Sequence, residues 1–482
     1  MCEEYLLDLN LLEEYSNIIL KNQILNFEKT LNIGIEINYA SIINIENRIY
    51  IYYRNTINKE DRINGEQTER FIINDDLTIK KENYILKLGI ASHNFRLFEF
   101  NNEIFGVGGQ SLGIKNYNIF DKKIGTNKAF IDYHKNKKVV FIDKNKYGIG
   151  DLVGSHIYSP NHICPYFGNG LHLFRFPDIR NNTYNILNNK LPIISGIKIN
   201  RHDGHYGYCD NKNIIKSKNG LTVFDSNTSI LFNTINKKYY LYQRANIGLG
   251  IRYIQYCIST NLINWSDWNL VCLKPSKNYF NSNYYINNFF KIKNVNNYIG
   301  ILFHNKKISS AYNGLNNNGN IELYYSNNCE RWNFMGNIGT FSYHNEWIIA
   351  GEPYIKDNKH YYFIVNNSKK QINLFYIDKN RYTYIENNNL LESDITFNIF
   401  HIKDNIIINF NTTKDGYLKF QLLDNNKNII NNFSFDNFDT IQGENNLFEY
   451  ELKWNNSSIL NLNEKCYIQL KGLNFKLFSI KI

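Results

Sequence analysis

The chain has 482 residues, of which 43% are hydrophobic and 15% aromatic, enough apolar material for a large core and more than one domain. Its formal net charge is +10, but the longest basic cluster is the short run 135–138, so the sequence lacks the basic stripe of a nucleic-acid-binding protein. Tyr and Phe (37 and 32 residues) fit pleated, half-buried surfaces, and Pro and Met are scarce. The composition therefore favours strands over helices.

The start of the chain predicts an N-terminal helical segment over residues 1–30. Apolar side chains recur there at helical spacing among Glu, Asp and Lys, at Leu6, Leu7, Leu11, Leu12, Ile18, Ile19 and Leu20. The first eight residues carry acids where a signal peptide needs bases, and no apolar run is long enough for a membrane span. We therefore expect neither an export signal nor membrane insertion.

After residue 30 a block recurs: a Tyr-rich strand, a polar turn, a second strand and then Trp. The clearest copy spans 236–265, a second spans 298–332, and weaker copies begin at 48, 103 and 360. Units of roughly 40–60 residues, repeated about five times, are typical of a β-propeller. We predict a five-bladed β-propeller over 31–395.

The Trp-closed unit is lost beyond residue 395. Short alternating strands follow at 415–424, 448–454, 466–471 and 475–480. This spacing predicts a C-terminal β-sandwich over 396–482. The expected fold class is thus all-β: a five-bladed β-propeller followed by a β-sandwich, with a short N-terminal helical segment.

The seven cysteines are scattered, odd in number and without a CxxC pair. This pattern indicates buried free thiols in a reducing compartment, and it argues against a disulfide framework or a zinc knuckle.

Several segments resemble one group of enzymes. The tail segments 416–424, 433–438, 453–454 and 476–479, the central run Phe224-Asp-Ser-Asn227 with the strand at 239–246, and Ser92-His-Asn-Phe-Arg96 are similar to five-bladed propeller glycoside hydrolases of the arabinanase, furanosidase and levanase type, which carry a C-terminal β-sandwich. Each match is short, but their order covers most of the chain. The resemblance implies a funnel on the propeller axis, entered by carboxylates from the starts of the innermost strands.

Glycoside hydrolysis needs one carboxylic acid to protonate the leaving oxygen and one carboxylate to support or attack the anomeric carbon. By the resemblance, Asp225 is the orienting or catalytic carboxylate, and either Glu352 or Glu346 is the general acid. The first inner strand departs from the pattern because Asn38 stands where the family has an Asp. An amide cannot serve as base or nucleophile, so Glu36 or another residue would have to replace it.

Substrate contacts are predicted for polar and aromatic residues near the expected strand entrances. They are Asn38, His93, Asn94, Arg96, His202, Asp203, His205, Asn227, Asn283 and Tyr284. Arg96 suits an acidic sugar, although hydrogen bonding between blades is an equal alternative. The cluster 201–205 resembles a metal site in composition, but its spacing fits no standard zinc signature. We therefore predict no metal and no cofactor.

The leading hypothesis is a glycoside-hydrolase-like protein that acts on a glycan or oligosaccharide in the axial funnel. The main alternative is a non-catalytic carbohydrate-binding or structural propeller, and a nucleotide-sugar or phosphosugar transfer role is a third. The Asn, Ile and Lys bias and the absence of an export signal suit a large DNA virus or an intracellular parasite, hence a cytoplasmic or virion-associated protein. Sugar, linkage and oligomeric state are left open.

Overall fold

The computed structural model describes residues 4–46, 48–56, 66–86, 88–92, 94–110, 170–181, 183–188, 193–195, 227–248, 251–266, 268–275, 282–306, 318–342, 345–387, 390–455, 462 and 464–482. Within these ranges the regular elements are β-strands, apart from two short 3-10 turns at Leu9–Leu11 and Gly89–Ser92. The predicted all-β class is confirmed. None of the described elements is a helix long and apolar enough to cross a membrane.

The strands run in this order along the chain. The first are β1 (Glu4–Leu6), β2 (Leu12–Tyr15), β3 (Ile19–Asn22), β4 (Asn26–Asn32), β5 (Asn38–Ile45), β6 (Arg48–Thr56), β7 (Glu66–Ile73), β8 (Ile79–Leu86), β9 (Arg96–Phe100), β10 (Glu103–Gln110), β11 (Gly170–Phe176), β12 (Asn185–Ile186) and β13 (Ile194–Ser195). The middle strands are β14 (Ser229–Asn233), β15 (Lys238–Gly248), β16 (Ile251–Ser259), β17 (Asn269–Leu270), β18 (Cys272–Lys274), β19 (Ser282–Lys291), β20 (Tyr298–Lys306), β21 (Asn318–Ser326) and β22 (Arg331–Ser342). The last are β23 (Glu346–Ile348), β24 (Tyr354–Lys356), β25 (Lys359–Asn366), β26 (Gln371–Asp378), β27 (Thr383–Asn387), β28 (Ser393–Phe397), β29 (Phe400–Ile402), β30 (Ile407–Leu423), β31 (Ile441–Gln442), β32 (Asn445–Glu451) and β33 (Glu464–Lys481).

The predicted N-terminal helix is wrong. Residues 4–32 form four strands that pair with distant parts of the chain: β1 with β33, β2 with β28, β3 with β27 and β4 with β26. Asp8 is buried and caps the 3-10 turn by accepting a hydrogen bond from the Asn10 N–H at 2.7 Å. Pairing with these distant strands satisfies the backbone groups and overrides the local helical spacing.

The described strands between residues 26 and 378 form four sheets. They are the four-stranded sheet β5–β8, the five-stranded sheet β9–β13, the nine-stranded sheet β14–β22, and a five-stranded sheet of β23–β26 closed by β4. Within the nine-stranded sheet, the antiparallel groups β14–β17 and β19–β22 are joined by the single parallel pair of Arg252 and Asn283. Asn-rich turns suit these hairpins: Asn101 and Asn102 link β9 to β10 with φ of 51° and 61°, which Asn tolerates.

The Trp that closes each repeat is held by the same turn in both clear copies. Asn261 Oδ1 accepts the Asn264 N–H at 2.9 Å, and Trp265 Nε1 donates to the Leu262 carbonyl at 2.9 Å. In the second copy the equivalent bonds run from the Arg331 N–H to Asn328 Oδ1 and from Trp332 Nε1 to the Cys329 carbonyl. The motif is thus an Asx turn that docks the Trp ring on the turn's own backbone.

Separate apolar clusters join each strand group to the next. One cluster packs β5–β8 on β9–β13, the next packs β9–β13 on β14–β17, and others continue through β19–β22 to the sheet of β23–β26. A further cluster packs that last sheet back on β5–β8. The succession of packed sheets therefore returns to its starting point.

The remaining strands form a ten-stranded sheet, in which the 18-residue strand β33 pairs with β1, β27, β28, β29 and β30. It surrounds one apolar cluster that includes Phe420, Phe438 and Trp454. Trp454 Nε1 donates to the Phe420 carbonyl at 3.1 Å, so the indole's polar group is satisfied inside the cluster. Strands β27 and β28 already belong to this sheet, whereas the predicted domain limits of 395 and 396 stay a prediction.

Candidate functional site

Five chain segments meet where the packed sheets converge. They are β5, β9, β14, β19 and residues 349–353, and we call them the central ring. Between the last and first segments, the Ile42 N–H donates to the Ala350 carbonyl at 2.9 Å and the Ala350 N–H to the Ala40 carbonyl at 3.0 Å. Between β14 and β19, the Phe289 N–H donates to Ser229 Oγ at 3.1 Å. Hydrogen bonds thus tie neighbouring segments together.

Arg96, the first residue of β9, is the buried cation of this ring. It is 4% exposed, and its guanidinium donates to the Thr228 carbonyl at 3.1 Å and to Ser229 Oγ at 2.6 Å. It also donates to Asn288 Oδ1 and to the Phe289 carbonyl, each at 3.3 Å. Burial lowers the pKa of Arg96 to about 10, so the group stays charged at neutral pH.

Asn288 connects the same network to the last segment. Its Nδ2 donates to the Gly351 carbonyl at 2.8 Å, and its Oδ1 accepts the Gly351 N–H at 3.0 Å. Gly351 is required by close packing, because a methyl group there would overlap the side chain and carbonyl oxygen of Ile42. The backbone that carries Glu352 is therefore fixed from both sides.

A cavity of about 440 Å³ adjoins Arg96, and every segment of the central ring contributes to its wall. We call it the central cavity. Its ionisable lining consists of Arg96, Glu99, Lys291, Lys293 and Glu352. Its aromatic lining consists of Phe98, Phe100, Phe232, Phe289 and Phe290. A concave site with an apolar wall and a few convergent charged groups is the usual form of a small-ligand site.

Glu352 has the most perturbed carboxyl group among the described residues of this cavity. Its side chain is reached by solvent, yet the protein that surrounds it raises its pKa from the ordinary 4.5 to about 7 by desolvation. The charge of Arg96 opposes this rise, and the charge of Glu99 adds to it. At neutral pH the carboxyl group is therefore divided between its protonated and ionised forms.

Glu346, the other predicted acid, lies at the start of β23. Its Oε2 accepts the Ser342 N–H at 2.8 Å, and its Oε1 accepts Asn366 Nδ2 at 2.9 Å. The two oxygens therefore connect the start of β23 to the ends of β22 and β25. Glu346 does not line the central cavity.

The predicted Asn residues gather at the entrances of the inner strands. Asn38 is the half-buried first residue of β5. Asn94 is buried and donates to the Gly109 carbonyl at 3.3 Å, and Asn227 is buried and donates to the Ile348 carbonyl at 3.4 Å. Asn283 and Tyr284, in β19, are fully buried. This end of the ring is thus lined by amides, and the carboxylates lie further along the strands.

Five predicted site residues lie outside the described residues: His93, His202, Asp203, His205 and Asp225. Their predicted roles stay predictions. Glu36 is exposed and lines a different cavity, of about 750 Å³, between β5–β8 and the last sheet. Within the described residues, no group of three or more His, Cys, Asp or Glu side chains could hold a metal ion.

Glu99 is the cavity residue that sequence reasoning missed. It sits in the strand Arg96-Leu-Phe-Glu-Phe100, where a single acid interrupts an otherwise apolar run. An acid within such a strand is a usable signal because buried strands rarely carry one without a partner. Because side chains alternate between the two faces of a strand, Glu99 lies on the other face from Phe98 and Phe100. Its closeness to Glu352 depends on the closure of the ring.

The sequence matches no known protein-family model and no curated protein sequence. The structure is similar to an exo-β-1,3-galactanase from Phanerochaete chrysosporium, with 9% identity, 95% of this chain and 100% of that chain covered, and a TM-score of 0.35. It is also similar to an N-acetylgalactosamine deacetylase from F. plautii, with 8% identity, 94% of each chain covered and a TM-score of 0.36. A putative glycoside hydrolase from Parabacteroides distasonis gives 11% identity, 74% and 93% coverage and a TM-score of 0.38. Each TM-score is below 0.5, so the function proposed below rests on the geometry of this chain.

Proposed function

We propose that the chain is a glycoside-hydrolase-like protein in which a five-bladed β-propeller holds a glycan in the central cavity. The blades would be β5–β8, β9–β13, β14–β17, β18–β22, and β23–β26 with β4. This division is supported by the single residue pair that joins β16 to β19 inside the nine-stranded sheet, by the three parallel pairs that join β18 to β22, and by the apolar clusters that return to the first sheet. The ten-stranded sheet would be the β-sandwich, because it surrounds one apolar cluster of its own.

The observation that carries the proposal is the raised pKa of Glu352, about 7, in a cavity that also contains Glu99. A general acid is most effective when its pKa lies near the working pH, and glycoside cleavage needs such an acid together with a second carboxylate. In this arrangement Glu352 protonates the leaving oxygen. Glu99 is the second carboxylate on the described surface, and Asp225 keeps its predicted orienting role.

The rest of the cavity suits a sugar. Phe98 and Phe232 offer apolar surface to the C–H face of a sugar ring. Lys291 and Lys293 supply donors for hydroxyl oxygens. The described hydrogen bonds of Arg96 go to the ring, and its charge lowers the pKa of Glu352. Its predicted contact with the sugar stays a prediction.

The test measures release of reducing sugar from a panel of plant, fungal and animal glycans. Glu352→Gln removes the acid and is expected to lower activity at least about a hundredfold, the usual weight of general acid catalysis. Glu346→Gln is the matched control, because it changes the same chemistry outside the cavity and is expected to retain activity. The activities of Glu99→Gln and Asp225→Asn show which of the two residues is the second carboxylate beside Glu352. Full activity in Glu352→Gln would refute the proposal.

The amide-lined entrance favours a second candidate, a non-catalytic carbohydrate-binding propeller. Asn38, the half-buried member of these amides, offers hydroxyl-binding groups at the position where the resembled hydrolases have a carboxylate. Calorimetric binding of a glycan by wild type, without release of sugar and without an effect of Glu352→Gln on turnover, would support this candidate instead.

A further inference from the structure

A hydrogen-bonded cluster lies apart from the central cavity, at the seam between β14–β17 and β19–β22. It consists of Tyr284 on β19, His304 on β20, and Glu322 and Tyr324 on β21, and we call it the His304 cluster. His304 Nδ1 lies 2.8 Å from Glu322 Oε1, and the Tyr324 hydroxyl donates to Glu322 Oε2 at 2.7 Å. The Tyr284 and Tyr324 hydroxyls are 3.2 Å apart.

The hydrogens of this cluster can be assigned from its contacts. The single hydroxyl hydrogen of Tyr324 goes to Glu322, so Tyr284 donates to Tyr324. An ionised carboxylate only accepts hydrogen bonds, and therefore His304 carries its proton on Nδ1. In the neutral imidazole this leaves a lone pair on Nε2. Tyr284 and Tyr324 thus orient Glu322, and Glu322 in turn selects the tautomer of His304.

The other nitrogen of His304 has no hydrogen-bond partner among the described residues. Its Nε2 is buried, while 13% of the side chain remains exposed. The Tyr284 ring stacks on the imidazole with centroids 4.6 Å apart and an interplanar angle of 20°, which fixes the plane of the ring. Buried acceptors in native proteins almost always have a hydrogen-bond partner.

We propose that His304 Nε2 accepts a hydrogen bond from a ligand hydroxyl. The bond between Nδ1 and Glu322 keeps Nε2 available as an acceptor. That this ligand is a sugar rests on the proposed function. Tyr284 follows Asn283, one of the entrance asparagines, in β19. A sugar hydroxyl matches the site because it carries the hydrogen that a bare imidazole nitrogen accepts. The role is binding and positioning, without transfer of the proton.

The first experiment reads the tautomer directly. In ¹⁵N-histidine-labelled full-length protein, the His304 signals are identified among the 11 histidines by their loss in His304→Asn. We expect a proton on Nδ1 and none on Nε2 in the neutral ring. D-glucose, D-galactose and L-arabinose are then added singly, and at least one is expected to move the Nε2 resonance. A proton on Nε2 in the free, neutral ring would overturn the inference whatever the protein does with glycans.

The second experiment uses two substitutions of the same residue. In His304→Asn the amide replaces the Nδ1 donor to Glu322 and removes the Nε2 acceptor, and the affinity for the responding sugar is expected to fall about tenfold, the worth of one good hydrogen bond. In His304→Gln the longer amide returns an oxygen near the Nε2 position and is expected to recover part of the affinity. Thermal unfolding checks that both variants fold.

The outcomes separate the two proposals. Wild-type affinity in His304→Asn, with a sugar that binds, overturns the inference and leaves the proposed function standing. Failure of wild type to bind or cleave any glycan overturns the proposed function and, with it, the assignment of a sugar to His304. Equal loss in His304→Asn and His304→Gln, with a lowered unfolding temperature in both, shows a purely structural histidine and also overturns the inference.

Discussion

The ten-stranded sheet and the central ring bury very different side chains. The sheet closes on an apolar cluster in which Phe410, Phe420 and Leu470 are fully buried. The ring instead buries a charged arginine and places Glu352 and Glu99 in one cavity. Removing charges from water is costly unless they are well bonded, as Arg96 is. Under the proposed function, the ring is the functional region and the sheet is the scaffold.

The largest effect is expected in the scaffold. Phe420→Ala empties the centre of the apolar cluster, where the ring packs against Phe438 at a centroid distance of 5.5 Å. Its unfolding free energy should fall by about 3–5 kcal/mol, measured by chemical denaturation. Leu390→Ala is the control, because that side chain is 100% exposed and its loss should change stability by less than about 0.5 kcal/mol. Similar losses of unfolding free energy in both variants would contradict the assignment of Phe420 to the core.

A pair of glycines compares the two regions directly. Gly351→Ala forces a methyl group against Ile42 in the ring and should cost about 1–3 kcal/mol, as overpacking does. Gly443→Ala in the scaffold meets no atom within 4 Å and is penalised only by its φ of +81°, by about 1 kcal/mol. Only Gly351→Ala should also impair glycan cleavage, since it displaces Glu352. Equal activity in both variants would mean that the position of Glu352 is unimportant.

The smallest expected effect is the pH dependence that Glu352 gives to stability. A carboxyl group whose pKa rises on folding resists ionisation in the folded protein, so its ionisation weakens the fold as pH increases from about 4.5 to about 7. Glu352→Gln removes this penalty. Its stability relative to wild type should therefore be greater above pH 7 than below pH 4.5, as read from urea midpoints.

Arg96→Met tests whether the charge of Arg96 contributes to this pH dependence. Arg96 lowers the pKa of Glu352, so its removal should move the pH window of the Glu352 effect upwards. The comparison is made between Arg96→Met and the double variant with Glu352→Gln, so that any stability lost with Arg96 itself cancels. An unchanged window would show that the two groups do not interact.

The strand-rich class could be predicted from composition and spacing, because buried strands carry local runs of aromatic and β-branched residues. The N-terminal segment could not. Its Leu and Ile residues recur at helical spacing, yet β1 to β4 pair with strands more than 300 residues away. Such pairing depends on which sheet edges remain open, and local sequence does not record that.

The candidate site was predictable only in part. Glu352 was identified from its place before the last repeat, and Arg96 and the entrance asparagines from theirs. Glu99 was missed, and so was the His304 cluster, because its members come from three strands and their relation depends on register. Glu346 resembled Glu352 in sequence, but its oxygens bond to Ser342 and Asn366.

The sequence by itself determined that the chain is all-β and that it carries the two turns ending at Trp265 and Trp332, since residue alternation and Asx-turn chemistry act over a few neighbouring residues. Only the tertiary structure decided which acid has a raised pKa and that His304 Nε2 has no hydrogen-bond partner among the described residues. Those properties arise from desolvation and from partners brought together across sheets, and both act through space and not along the chain.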